Sequence, residues 1–424
     1  MLLGPIDGGT NTMRKSVRAA ALLLPLMLVA VACGDDEETT DATEAPAAET
    51  TAAPAEGGTD TTAAPEEGAT DTTAAPAEGG DAGLAAAQAI VDASAIPPDK
   101  ISPTVALSAT PEPGKVVAWL ECEQPSCAAI TPGFEDATAA LGWELIVIPA
   151  SSGAQGPAIQ QALDQGADYI AHTGSPLATA EAEMAAAKEA GVPYASCYST
   201  DDPDFENNNL LMQCGDEEAV KVTGGLISNW AIVDSQGAAN VLIVNIPDFP
   251  VLIAEADAAK AAYAENCAAC TVEELNVTID QLIAGEVPGA VASAIQANDA
   301  INYIQFTFGD LPAGVADTLS GAGLLEGRKL IGVDFSTQIG LPGIIDGTHA
   351  AWTSNPKPYA AWLMVDAFAR HSVGDENSEE RANAALVSFI VSDAETAQGV
   401  LDLGDAGWPG PETMAEQFAA LWGV

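Results

Sequence analysis

Short apolar runs alternate with longer segments of helical periodicity between Lys115 and Thr200. Apolar runs of this length are typical of strands that are buried on both faces of a parallel sheet. They lie at 116–120, 145–148, 169–171 and 192–195. One intervening segment opens with Thr131-Pro132 and closes at Gly142, which is the usual punctuation of a helix. This alternation predicts βαβ units with right-handed crossovers, and therefore an α/β fold with a doubly wound parallel sheet.

The same alternation continues through most of the remaining chain. Further strands are predicted at 209–214, 240–244, 271–277, 303–307, 329–333, 349–353 and 384–391. Further helices are predicted at 175–191, 215–233, 249–266, 288–298, 311–322, 338–347 and 358–371. We therefore expect two doubly wound parallel-sheet lobes in succession, at about 110–214 and 215–348, with a final segment that can return to the first lobe.

The two ends of the α/β region have a weaker pattern. Residues 84–113 are interpreted as a lead-in segment with one short helix at 84–93. Residues 392–424 are interpreted as a tail that packs on the body, because they contain Trp408 and Trp422.

The N-terminal segment has the pattern of a signal peptide, which we assign to residues 1–32. Basic residues at 14, 15 and 18 precede an apolar stretch at 19–32 that is too short for a comfortable membrane span. Because this basic run follows Met13 directly, we expect translation to start there. Small residues before Cys33 resemble a bacterial lipobox, although Ala30 stands where that motif usually has Leu. We expect lipid-modified Cys33, and the alternative is an ordinary cleaved signal with a chance cysteine.

Residues 33–83 are predicted to be a disordered tether between this anchor and the folded body. Positions 35–82 contain no Lys, Arg or aromatic residue, and a Thr-Thr-Ala-Ala-Pro unit recurs every 11 residues. Such a composition cannot bury a core, so the chain stays extended. An O-glycosylated stalk is an alternative with the same spacing role.

The charge balance limits the kinds of partner that the protein can bind. The 424 residues include 13 Lys and Arg against 61 Asp and Glu, a formal net charge of -48. Nucleic acid is excluded as a partner, because its phosphates require a basic surface. We expect the protein to be a monomer. We also expect that it needs neither a metal nor a cofactor, because the three histidines lack ligand spacing and no dinucleotide or Walker motif is present.

Six cysteines follow Cys33, and an even number in an exported chain favours disulfides. Sequence alone leaves 15 connectivities open. We predict that neighbours pair: Cys122 with Cys127, Cys197 with Cys214, and Cys267 with Cys270. The last pair has the spacing of a redox dithiol, but it follows a helix pattern where redox motifs open one, which favours a structural bridge.

Two successive α/β lobes behind a lipobox and a tether resemble the sugar-type periplasmic binding proteins of ABC importers, the ribose- and galactose-binding group with the type I fold. The resemblance covers roughly residues 114–391. It is carried by the segments at 115–117, 133–134, 161–170, 190–193 and 332–334. It implies three crossings between the lobes, near 213–216, 352–356 and 383–385. The first lobe then comprises 114–214 with 354–383, and the second comprises 215–353 with 384–391. It also implies hinge closure over a small-molecule solute and docking on a membrane permease.

Candidate ligand-binding residues lie at the carboxyl ends of the predicted strands, where open α/β sheets bind ligands. The first lobe contributes Glu121, Gln124, Thr173, Ser175, Tyr198 and Ser199. The second contributes Asp248, Phe249, Phe308, Asp310 and Asp334, and the crossings contribute Asp216, Ser354 and Asn355. The resemblance implies that Asp334 binds solute hydroxyls, whereas Asp310 could instead cap a helix.

One departure from the resembled pattern changes the expected solute. Tyr198-Ser199 stands where members of that family often have an Asp-Arg pair, which suggests a different or less hydroxylated solute. Trp119 and Trp352 lie within predicted strands, and we expect both in the core.

The sequence thus predicts a lipid-anchored, extracytoplasmic solute-binding component of an ABC importer, for a sugar or polyol, and not an enzyme. Alternatives are a sensor of the same fold that signals to a membrane receptor, a nucleoside or amino-acid solute, and a secreted α/β enzyme.

Overall fold

The computed structural model describes residues 78–375 and 385–424. The signal peptide, Cys33 and most of the tether lie outside the described residues, as does part of the third expected crossing. The described chain contains two parallel-dominated sheets with helices around them, which confirms the expected α/β class with doubly wound lobes.

The first sheet has the strand order β2-β1-β3-β4-β5, and all of its pairs are parallel. Its strands are β1 Val116–Glu121, β2 Glu144–Pro149, β3 Tyr169–Thr173, β4 Tyr194–Cys197 and β5 Leu210–Cys214. Every residue of β4 and β5 is buried, as continuous apolar runs between two helical layers require.

The second sheet has the order β11-β10-β9-β8-β6-β7, with only β11 antiparallel. Its strands are β6 Asn240–Asn245, β7 Thr271–Asn276, β8 Tyr303–Phe306, β9 Lys329–Gly332, β10 His349–Thr353 and β11 Ile390–Val391.

The helices lie on the faces of these sheets. In the first half they are α1 Glu78–Ala93, α2 Pro125–Ala128, α3 Thr131–Ala140, α4 Gly156–Asp164, α5 Glu181–Glu189, α6 Phe205–Asn208 and α7 Glu217–Asp234. In the second half they are α8 Pro250–Asn266, α9 Ile279–Ile283, α10 Val287–Ala297, α11 Val315–Gly321, α12 Gly340–Asp346, α13 Lys357–Ser372, α14 Ala394–Leu401 and α15 Met414–Trp422.

Helix α13 connects the two lobes. It follows β10 of the second sheet but packs on α3 and on β4 and β5 of the first sheet. Its residues from Lys357 to Arg370 are all buried. The approach to α3 is close, because a Cβ at Gly133 would overlap the Pro358 carbonyl. Trp119 stacks on Phe134 of α3 with ring centroids 4.9 Å apart, so the core of the first lobe forms between β1, α3 and α13.

The terminal helices are divided between the lobes. Helix α1 packs on α7 and α8 of the second lobe, and α14 packs on α12 there. Helix α15 packs on α13 of the first lobe, where Trp362 stacks on Trp422 at 5.3 Å. The chain therefore also crosses between the lobes from α1 to β1 and from α14 to α15, in addition to the crossings after β5, β10 and α13.

Several element boundaries differ from those predicted. Helix α1 begins at Glu78, inside the predicted tether and before the predicted helix at 84–93. The expected strand at 384–391 is reduced to Ile390–Val391. Strand β4 starts after Pro193, which lacks the N–H that a ladder needs. Helix α11 starts only at Val315, because Gly314 has a φ of 74° and breaks the predicted helix at 311–322.

The six cysteines form the three expected neighbouring pairs. The Cα atoms are 5.6 Å apart in Cys122–Cys127, 4.4 Å in Cys197–Cys214 and 5.3 Å in Cys267–Cys270. The second bridge joins β4 to β5, whereas the other two close short loops. In the part of the chain that the structure describes, no helix has both the length and the apolar character needed to cross a membrane.

A buried polar cluster fastens α15 to α13. The Asp366 carboxylate accepts hydrogen bonds from Arg370 Nε and from Trp422 Nε1, each at 2.7 Å. Arg370 Nη2 also donates to the Val105 carbonyl at 2.8 Å, which fixes the lead-in segment. Arg370 is 1% exposed, so its charge depends on this carboxylate.

We predict that Asp366→Ala lowers the free energy of unfolding by about 3–5 kcal/mol, because it leaves the buried Arg370 charge without a carboxylate. Urea unfolding of the purified protein measures this. The matched control is Asp257→Ala, which removes an exposed partner of Lys260 and should change stability by less than about 0.5 kcal/mol. Equal effects of the two substitutions would contradict the prediction.

Candidate functional site

A cavity lies between the two sheets, at the carboxyl ends of their strands. Its water-accessible volume is about 120 Å³. The carboxyl ends of the strands are the position at which doubly wound sheets bind ligands.

Both lobes contribute to the wall of the cavity. The first-lobe wall consists of Cys122, Gln124, Ser126, Cys127, Ile130, Ser152, Thr173, Gly174, Ser175, Tyr198 and Lys357. The second-lobe wall consists of Val220, Thr223, Phe249, Val251, Leu252, Glu255, Ile279, Thr307, Phe308, Val333 and Asp334, and Asn355 comes from the crossing. The first-lobe wall is therefore mainly polar, and the second-lobe wall is mainly apolar and aromatic with two carboxylates.

A buried ion pair crosses the cavity from one lobe to the other. Lys357 Nζ, at the start of α13, lies 2.5 Å from Asp334 Oδ2, which follows β9. The same ammonium lies 4.5 Å from the centre of the Tyr198 ring, within the range of a cation–π contact. The two side chains of the ion pair are about nine-tenths buried. The contact therefore holds the lobes together at the place where a ligand would lie.

Two residues of this cluster have left-handed backbone conformations. Asp334 has a φ of 60° and Tyr198 has a φ of 59°, which non-glycine residues rarely adopt. The neighbouring Gly309 is required for the turn, because a Cβ there would overlap the Asp334 carbonyl. Such strain persists only where the surrounding structure imposes it, and it is concentrated at functional sites.

Burial governs the charge state of the carboxylates between the lobes. Burial raises the pKa of Asp334 above its usual value, although the nearby Lys357 charge opposes this. Among the described residues, Asp334 Oδ1 has no hydrogen-bond partner, so an acceptor atom remains for a ligand. Burial and the Asp334 charge likewise raise the pKa of Asp310, whose Oδ2 accepts a hydrogen bond from Ser126 N at 3.4 Å.

Glu255 is a further buried carboxylate on the second-lobe wall. It is 2% exposed and lies on α8, where its two oxygens are each 3.1 Å from the Thr223 hydroxyl. Burial raises the pKa of Glu255 well above its usual value, and the Asp334 charge adds to this. A single hydroxyl donor does not replace the hydration of a buried carboxylate.

Eight of the predicted site residues line this cavity. They are Gln124, Thr173, Ser175, Tyr198, Phe249, Phe308, Asp334 and Asn355. Asp310 lies beside them in a neighbouring cleft between the lobes that also reaches Asp334 and Lys357. Asp216 lies in another cleft near the first crossing, where its side chain caps α7 by accepting from Ala219 N at 3.0 Å.

Two first-lobe candidates are not among the residues that line the cavity. Glu121 accepts a hydrogen bond from the Thr131 hydroxyl and thereby holds the start of α3. Ser199 is 1% exposed and its hydroxyl donates to Asp201. Both therefore have structural partners that sequence reasoning did not anticipate.

The side chains of two other candidates, Asp248 and Ser354, also form hydrogen bonds outside the cavity. The exposed Asp248 accepts from Ile279 N at 2.9 Å and holds the start of α9. Ser354 is fully buried, and its hydroxyl accepts from Phe389 N at 2.9 Å. Ser354 thus joins two of the passages between the lobes instead of lining the cavity.

Sequence reasoning missed the lining residues that lie on helices or on loops before helices. Lys357 opens α13, and Thr223 and Glu255 lie within α7 and α8, away from any strand end. One signal was present in α8, where Glu255 interrupts a face otherwise formed by Val251, Ala256 and Ala259. A carboxylate on the apolar face of a helix indicates a buried polar site.

Residues 123–376 match the sequence model of a family described as periplasmic binding protein domain. The match covers more than half of the chain, so the protein belongs to the periplasmic binding protein domain family. No curated protein is detectably similar in sequence to the chain.

Solved structures share the fold at low sequence identity. A solute binding protein of an ABC transporter from Mycobacterium smegmatis, with bound glycerol, is 18% identical at a TM-score of 0.58, covering 70% of this chain and 99% of its own. A carbohydrate transporter from Acidothermus cellulolyticus 11B, in complex with myo-inositol, is 18% identical at 0.55, covering 69% and 99%. A 5-methylthioribose transporter solute binding protein from Thermotoga lettingae, in complex with 5-methylthioribose, is 16% identical at 0.58, covering 76% and 99%.

We predict that Lys357→Met destabilises the protein in a pH-dependent manner. Without the ammonium, burial raises the pKa of Asp334 further, so the folded state is penalised as the pH rises from the usual carboxyl range. Urea unfolding should show a loss of about 3–5 kcal/mol at about pH 7.5 and a smaller loss at about pH 4.5.

The control for this prediction is the double variant Lys357→Met/Asp334→Asn, in which neither member of the ion pair remains as a charge without the other. Its loss of stability should be smaller at about pH 7.5 and nearly equal at both pH values. A pH-independent loss for Lys357→Met alone would contradict the role assigned to Asp334.

Proposed function

We propose that the protein is the extracytoplasmic solute-binding component of an ABC importer, and that it binds a small polar solute between its two lobes. One observation carries the proposal. The cavity at the strand ends is lined by both lobes, and its lining includes the buried Asp334 carboxylate, one oxygen of which has no hydrogen-bond partner among the described residues. A solute that bonds this oxygen would contact both lobes at once.

The proposed mechanism is hinge closure over the solute. The chain passes from the first sheet to the second after β5 and returns after β10, and Ser354 Oγ accepts from Phe389 N to join the second passage to the third. Backbone changes at a few such residues move two lobes as rigid bodies. A solute stabilises the closed state by the amount that it binds this state more tightly than the open one.

The lining favours a solute with hydroxyl groups and an apolar face. Gln124, Asn355 and Thr173 provide donors and acceptors in the lining of the same cavity as Asp334. Phe249 and Phe308 provide aromatic faces for C–H groups. A sugar or a polyol fits this arrangement, and glycerol, myo-inositol and 5-methylthioribose are the ligands named for the three similar structures.

The location that we propose is the outer face of the cell membrane, with a lipid on Cys33 and residues 33–77 as the tether. Three disulfide pairs support an oxidising compartment outside the cytoplasm. In this arrangement a membrane permease is the partner of the closed form, and the protein itself releases the solute unchanged.

We expect at least one pentose, hexose or polyol to bind the purified protein in titration calorimetry, and Asp334→Asn to weaken this binding by about 100-fold. The substitution removes a charged acceptor, and Asn tolerates the left-handed backbone at this position. Asp248→Ala, a change to a strand-end carboxylate outside the lining, should leave the affinity unchanged.

Other results would change the conclusion in different ways. Binding of nucleosides or amino acids alone would retain the binding role and overturn the sugar class. Equal affinity of the parent and Asp334→Asn would overturn the site. Turnover of the bound molecule would overturn the importer role in favour of an enzyme.

A second prediction concerns the anchor. The parent protein expressed with its own leader in a bacterial host should sediment with membranes, and Cys33→Ser should move it to the soluble fraction, because no acyl chain is then attached. The matched control is Cys270→Ser, which removes a cysteine of the folded body and should leave the protein with the membranes. Identical fractionation of parent and Cys33→Ser would contradict lipidation.

A further inference from the structure

Glu255 is the feature of the cavity that binding of a neutral sugar does not explain. Its carboxylate is 2% exposed and lies in the second-lobe wall. Among the described residues, its side chain accepts hydrogen bonds from one group, the Thr223 hydroxyl. Burying a carboxylate with so few donors costs several kcal/mol unless a cation or further donors accompany it.

The basic residues near Glu255 have other partners. Lys221 on α7 pairs with Glu217 and Glu218, at 2.9 and 2.8 Å. Lys260 on α8 itself pairs with Asp257 and Glu274, at 2.7 and 2.8 Å. Within residues 78–375 and 385–424, no ion pair joins a basic side chain to Glu255.

The basic residue in the cavity lining, Lys357, is also paired with a carboxylate other than Glu255. Lys357 Nζ lies 2.5 Å from Asp334 Oδ2 and above the Tyr198 ring, on the opposite lobe from α8. The lining therefore contains two carboxylates, Glu255 and Asp334, and a single ammonium. Asp310 stands at the edge of the same cluster and increases the negative charge.

The surroundings of Glu255 resemble those of an amine site more than those of a hydroxyl site. Phe249 and Phe308 present aromatic rings to the same cavity, and such rings attract ammonium groups. Val220, Val251 and Leu252 add apolar surface to the second-lobe wall. A buried carboxylate beside apolar and aromatic side chains interacts more strongly with a positive charge than an exposed one does.

We propose that the solute carries a protonated nitrogen that binds the Glu255 carboxylate, while its hydroxyl groups bind the unpartnered oxygen of Asp334 and the polar first-lobe wall. The solute class is then an amino sugar or an amino polyol. This inference rests on the proposed solute-binding function and refines its ligand.

The proposal has a proton balance that can be measured. Burial raises the pKa of Glu255 well above its usual value, whereas an ammonium bound beside the carboxylate lowers it again. Binding of an amine therefore releases protons from Glu255 to the solvent, and binding of a neutral sugar leaves its protonation unchanged.

The experiment compares aminated and hydroxylated members of matched pairs by titration calorimetry. The probes are D-glucosamine with D-glucose, D-galactosamine with D-galactose, and D-mannosamine with D-mannose, at a pH below the pKa of the amines. Buffers of different ionisation enthalpy report the number of protons released. In at least one pair, we expect the amine to bind about 10-fold to 100-fold more tightly and to release protons that its hydroxyl partner does not release.

The test variant is Glu255→Gln, which keeps the shape of the side chain and an oxygen for the Thr223 hydroxyl. It should abolish both the preference for the amine and the proton release. Glu265→Gln, at an exposed position of the same helix, should leave both unchanged. Thermal unfolding of both variants verifies that they fold.

The inference is overturned if no amine binds more tightly than its hydroxyl partner, or if the preference survives in Glu255→Gln. Binding of the neutral sugars with equal or higher affinity would leave the proposed function intact and remove only the amine. Absence of binding by every member of the pairs, together with every pentose and polyol, would overturn the sugar class of solute as well.

Discussion

The ion pair between Lys357 and Asp334 is the contact around which the two lobes are arranged. Lys357 begins the buried helix α13 in the first lobe, and Asp334 ends strand β9 in the second. Both charges are removed from water, so neither is tolerated without the other or an equivalent partner. The unusual backbone of Asp334 and the need for Gly309 beside it follow from the demand that this carboxylate reach across the cleft.

The same contact explains how one cavity can serve binding and closure. The ion pair uses Oδ2 of Asp334, and Oδ1 has no hydrogen-bond partner among the described residues. A ligand that donates to Oδ1 would complete the hydrogen bonding of a carboxylate that already contacts the other lobe through Lys357. The energy of that completed network is available only when the lobes are together, which is the differential affinity that hinge closure requires.

Helix α13 gives the arrangement its rigidity. It leaves the second sheet, crosses to the first and is buried along almost its whole length. The Asp366 and Arg370 pair then secures α15 and the lead-in segment to it. The site thus stands at the start of a helix whose far end is fixed by a second buried ion pair, so the position of Lys357 is well determined.

Elements with a local signal could be predicted from the sequence alone. Apolar runs located the strands from β1 to β10, because strands buried on both faces need uninterrupted apolar residues, and neighbouring cysteines indicated the disulfide pairs that the structure contains. Strand ends also led to Asp334, Tyr198 and Asn355 in the lining. Lys357 and Glu255 lie on helices far apart in the sequence, and packing between the lobes brings them to the same cavity. No local pattern in the sequence indicates such a contact. Glu121 and Ser199 form hydrogen bonds with Thr131 and Asp201 and do not line the cavity. The sequence could not show this, because a side chain at a strand end can point into the cleft or toward a neighbouring loop.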